Sequence, residues 1–75
     1  MLDNKNKSNF ILFLQDRNWI FNDKHQRYEK ETKMISKHAI DSCFSNKYGY
    51  SWVLDLISKF ENIDYNELLN ILKYD

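Results

Sequence analysis

Apolar residues recur at intervals of three and four through most of this chain, and that period predicts helices. Phe10, Phe13 and Leu14, with Ile11 beside them, make one stripe behind Ser8, a favourable N-cap. They predict a first helix over residues 8–17, closed by Asn18 in a left-handed C-cap. Residues 1–7 are polar and predict a flexible tail. Asp23, with Gln26 three residues on, resembles a capping box and opens the longest predicted helix, residues 24–44. Tyr28, Thr32, Ile35, Ala39 and Cys43 follow the rhythm of one of its faces. Gly49 marks the clearest break. A third helix, capped by Ser51, is predicted over residues 51–61 with Val53, Leu56, Ile57 and Phe60 inward, and Asn62 ends it. A fourth is predicted over 64–74: Asp64 is the N-cap, Glu67 lies at N3, and Ile63 is placed to staple Leu68. The expected fold is therefore all-α. It is a single domain over residues 8–75, a small bundle of about four helices with the long second helix as its spine.

Composition sharpens that expectation. Twelve of the 75 residues are aromatic, against one glycine and no proline, so the chain is rich in rings to bury and poor in turn formers. A domain this short buries only about 60% of its unfolded surface, and Cys43, the lone cysteine, allows no internal disulfide. A single thiol fits a reducing compartment, and the longest apolar run, residues 10–14, falls far short of the ~18 residues of a membrane span. A cytoplasmic protein with no membrane partner is expected. Asn, Lys, Ile, Tyr and Phe supply 35 residues, whereas Gly, Ala, Arg and Pro together supply four. This is the bias of an AT-rich genome, such as a low-GC bacterium, its phages or its plasmids.

Net charge is zero but unevenly spread: nine basic and six acidic groups in residues 1–47, two and five in residues 48–75. Neither half carries the clustered basic field that announces nucleic acid. Catalysis and metal binding find no signature. His38 and Cys43 are five apart on one predicted helix and point in different directions, His25 stands alone, and Asp16, Asp41 and Asp55 sit where exposed faces would put them. No cofactor is expected.

Three groups of residues are candidates for contact. The aromatic segments at the helix junctions supply Trp19 and Phe21, then Tyr48, Tyr50 and Trp52, the ring types that most often anchor protein interfaces. Lys30, Lys33 and Lys37 gather on the side of the predicted second helix opposite Tyr28, Ile35 and Ala39. Finally, Ile57, Ser58, Asn62, Ile63, Leu68 and Ile71 fall at the spacing of a helix-turn-helix. In the would-be recognition helix Tyr65, Asn66 and Asn70 would read base edges, with Lys73 as that helix's only basic residue. Asp64 and Glu67 would face the phosphates unneutralised, which weighs against DNA. The leading expectation is a small non-enzymatic protein-binding module, of the kind a phage or mobile element uses as an accessory or inhibitor. Its contact surface is more ring area than its own interior hides, and self-association is a further expectation. The alternative is a small helix-turn-helix-like DNA-binding regulator.

Overall fold

The computed structural model describes residues 4–45 and 49–74. In chain order it contains α1 (Asn4–Asp16), three short strands β1 (Ile20–Asn22), β2 (Arg27–Lys30) and β3 (Lys33–Ser36), then α2 (Lys37–Phe44), α3 (Trp52–Phe60) and α4 (Tyr65–Tyr74). The strands form one antiparallel sheet in the order β1-β2-β3. The protein is mixed α/β, and the expectation of an all-α bundle with a long second helix is overturned.

The error lies between residues 20 and 36. Phe21, Tyr28 and Ile35 recur every seven residues, a spacing that two turns of helix and a tight three-strand meander both satisfy. In the fold they are direct partners, Phe21 opposite Tyr28 and Tyr28 opposite Ile35, forming one row on the face turned toward the helices. Tyr28 and Ile35 are buried there. The turns carry no glycine. Gln26 and Glu31 take the left-handed conformation instead, at φ 51° and 54°, one in each connection. The spacing read as a capping box is a real contact in a different setting: Gln26 Nε2 donates to the Asp23 carbonyl (2.7 Å) and to its carboxylate (3.1 Å) inside the β1–β2 loop. Helix α2 starts only at Lys37, where the Ser36 hydroxyl accepts from the Ala39 amide at 3.0 Å, an N-cap bond.

The helix ends were better written. At Asn18 (φ 71°) the amide of Trp19 donates to the Leu14 carbonyl and that of Asn18 to Gln15. At Asn62 (φ 55°) the amide of Ile63 donates to Ser58 and that of Asn62 to Lys59. Both are Schellman motifs, with asparagine in the position glycine usually takes. Asp64 caps α4 as expected, its carboxylate accepting from the amides of Asn66 and Glu67. Ser51 stands before α3, but its hydroxyl makes no cap bond.

Residues 4–7, expected in the tail, belong to α1. Asn6 and Asn9 lie one turn apart, both buried, and both donate to the carbonyl of Leu72, at 2.9 and 2.6 Å. That carbonyl belongs to the last turn of α4, whose carbonyls find no donor within the helix. The two amides thus pin α4 against α1. The core fills the space between: Phe10 and Leu14 of α1, Ile40 and Phe44 of α2, Val53 and Ile57 of α3, Leu68 and Leu72 of α4.

Candidate functional site

The first turn of α2 is tied to the hairpin, because the Lys37 amide donates to the Gln26 carbonyl at 2.9 Å. Beside this link lies a cleft of about 380 Å³ between α1, the β1–β2 hairpin and α2. Its apolar floor is Ile11, Ile40 and the Phe21–Tyr28 pair, whose ring centroids stand 4.9 Å apart. Lys7, Lys37, Asp23 and Asp41 make the rim. Lys7 and Asp41 pair across it at 3.2 Å, whereas the Lys37 ammonium makes no ion pair with a described residue. Burial, and then the charge of Asp41, push the Tyr28 phenol above its ordinary pKa, so it stays a neutral hydroxyl. The volume lies at the low end for a binding pocket and suits one or two apolar side chains rather than a large cofactor.

On the other side of the same turn, His38 meets Tyr50. Their rings stand edge to face with centroids 5.8 Å apart, and Nε2 of His38 lies 3.5 Å from the Tyr50 hydroxyl. Trp52 follows two residues later as the first residue of α3, 44% exposed. Three of the eight residues expected to contact a partner, Phe21, Lys37 and Tyr50, are therefore gathered around the first turn of α2, and Trp52 stands exposed two residues beyond Tyr50. Tyr48 lies outside the described residues.

The remaining three are placed otherwise. Trp19 is 3% exposed and sits in the core with its ring edge-on to Phe60. Its indole nitrogen donates to Glu61 at 2.9 Å. Lys30 and Lys33 are cross-strand partners at the far end of the β2–β3 hairpin, so no lysine face shared with Lys37 exists. Lys30 is moreover committed: its ammonium lies 2.8 Å from Glu61, over the Phe60 ring. Lys33 is exposed.

Glu61, which the sequence did not single out, holds the opposite end of the molecule together. Its side chain is 6% exposed and receives Lys30, Trp19 and, at 3.8 Å, Arg17. A carboxylate at the C-cap of α3 faces the negative end of the helix dipole, so it needs those donors. Burial pushes its pKa up, but the hydrogen bonds from Lys30 and Trp19 and the charges of Lys30 and Arg17 outweigh burial and hold it below the ordinary carboxylate range.

The residues of the DNA alternative, Tyr65, Asn66, Asn70 and Lys73, are all exposed on α4, with Asp64 and Glu67 at its start. Three exposed apolar side chains were also missed: Leu12 on α1, and Ile20 and Met34, which flank Glu29 in one row on the outer face of the sheet. Leu12 lies opposite the Phe10–Phe13–Leu14 stripe, and that displacement was the signal available. Among the described residues, no three His, Cys, Asp or Glu side chains are grouped to hold a metal ion, and no helix is long and apolar enough to cross a membrane.

Comparison with family models, with curated proteins and with solved structures finds no match to this chain.

Proposed function

We propose that this chain is a small binding module that acts by docking on another protein and carries no chemistry of its own. The contact is the end of the molecule around the first turn of α2. The cleft carries the proposal: it has an apolar floor, its rim combines a closed ion pair with one uncommitted ammonium, and an exposed indole stands on the next element. Rings that stay exposed beside a preformed apolar recess are the arrangement from which interface anchors are made. Phe21 and Trp52 would supply the buried area, with Lys37 choosing an acidic neighbour on the partner. Uncommitted charge is too sparse here for a phosphate backbone, which supports protein over nucleic acid.

Capture from a lysate of the source cells, wild type against Phe21→Ala/Trp52→Ala, tests this. Loss of the captured protein in a variant with unchanged circular dichroism is the expected result, with little dependence on salt. Capture that survives the double change sinks the assignment. Capture of nucleic acid, weakening with a log–log salt slope of about −0.9 per phosphate contact, would replace it.

A further inference from the structure

Leu12 is 56% exposed, on the side of α1 that points away from the core. At about 100° per residue it shares a narrow stripe with Lys5 and Asp16. Those two charges are eleven residues apart, or about 16 Å along the helix, with Leu12 between them. Neither makes an ion pair with a described residue. Both also oppose the helix macrodipole: a lysine stands near the N-terminus of α1 and an aspartate at its end. Beside Leu12 runs a groove of about 420 Å³ between α1 and α4, walled by Phe13, Arg17 and Ile71, with the Arg17 guanidinium lying over the Phe13 ring. One patch therefore offers a protruding leucine, a recess beside it, and a charge of each sign at its two ends.

We propose that this face of α1 is where a second copy of the chain docks. Antiparallel two-fold packing places Lys5 of each copy against Asp16 of the other, twice, and brings each Leu12 to the groove of its partner. The two opposed macrodipoles also run favourably. A parallel arrangement would set lysine on lysine and aspartate on aspartate, so the charge pattern selects the orientation. Such a contact is isologous and closes at the dimer. One helix face is small beside the ~800 Å² per partner of a stable complex, so the dimer forms and dissociates with concentration. This face is separate from the cleft beside α2, and neither proposal rests on the other.

Sedimentation equilibrium of the full chain from micromolar to millimolar concentration tests it. Wild type is expected to pass from monomer to dimer, and Leu12→Asp to stay monomeric with an unchanged melting curve. Lys5→Asp and Asp16→Lys each remove two ion pairs and weaken the dimer about tenfold, while the double reversal restores it to within about threefold. Each reversal suits the helix dipole better than the natural residue, so loss of the dimer is not loss of the helix. Wild type that stays monomeric at millimolar concentration overturns the proposal and leaves the groove to a different chain. Dimerisation unchanged in Leu12→Asp, or charge reversals that fail to rescue one another, overturns it too. Partner capture should persist in Leu12→Asp, and dimerisation in Phe21→Ala/Trp52→Ala, which keeps the two proposals separable.

Discussion

Removing the carboxylate of Glu61 should unfasten the end of the molecule where α1, β2 and α3 meet. In Glu61→Ala the indole N–H of Trp19, in a residue 3% exposed, loses its acceptor, and Lys30 loses its counter-ion. An unsatisfied buried donor costs about 1–3 kcal/mol, and a charge-assisted hydrogen bond is worth about 1.5–3 kcal/mol. Lys30 is 21% exposed and recovers part of its hydration, so the sum is discounted to about 2–3 kcal/mol. For a domain of this length that is a fall in Tm of roughly 10–20 °C. Glu61→Gln keeps an acceptor for one donor and should cost less, about 1 kcal/mol. The pH dependence has a definite sign. The folded pKa of Glu61 lies below its unfolded value, so its contribution is complete above the ordinary carboxylate pKa of about 4.3 and is lost as pH falls through the folded value. Glu61→Gln should remove that slope. Lys30→Met leaves the carboxylate buried without its closest cation, so it should be most destabilised at neutral pH and gain on wild type as pH falls toward 4. Thermal and urea unfolding followed by circular dichroism from pH 7 to pH 3 measures all three. A Glu61→Gln protein melting within about 2 °C of wild type, with the same acid limb, would rule out this role for the Glu61 carboxylate.

Two further substitutions test how the chain turns and how α4 is held. Glu31→Gly relieves a left-handed residue in the β2–β3 connection and should raise stability by about 0.5–1 kcal/mol, whereas glycine inside a helix over residues 24–44 would cost about 1 kcal/mol. The sign of the change in Tm thus separates hairpin from helix. Asn9→Ala removes one of the two amides on the Leu72 carbonyl and should cost about 1 kcal/mol, with faster hydrogen exchange in the last turn of α4 than in α3.

Local signals were legible where one residue settles one conformation. Asn18 and Asn62 stop their helices and Asp64 starts one, because each acts on neighbouring backbone alone. The meander was not legible, because its evidence is a register. A seven-residue repeat of Phe21, Tyr28 and Ile35 suits either structure, and only pairing across the sheet distinguishes them. The missing glycines hid the turns, since Gln26 and Glu31 adopt positive φ without announcing it. The N-cap at Ser36 was hidden inside an apparent helix. Strands in place of a helix disperse the lysines: Lys30 pairs with Glu61, Lys33 stands at the hairpin tip, and Lys37 lies at the cleft. Of the rings expected in surplus, Trp19 is consumed by the core while Phe21 and Trp52 remain exposed. The candidate site was thus visible as residue types, and its assembly depended on three-dimensional pairing.

The docking face is tested most directly by placing a photo-reactive benzoylphenylalanine at one position at a time in living source cells. Position 21 lines the cleft beside the first turn of α2, position 52 opens α3 two residues after the tyrosine that touches that turn, and position 70 is exposed on α4. Positions 21 and 52 should yield an adduct with the same protein, and position 70 none. An adduct formed from position 70 alone, or different adducts from 21 and 52, would contradict this docking face.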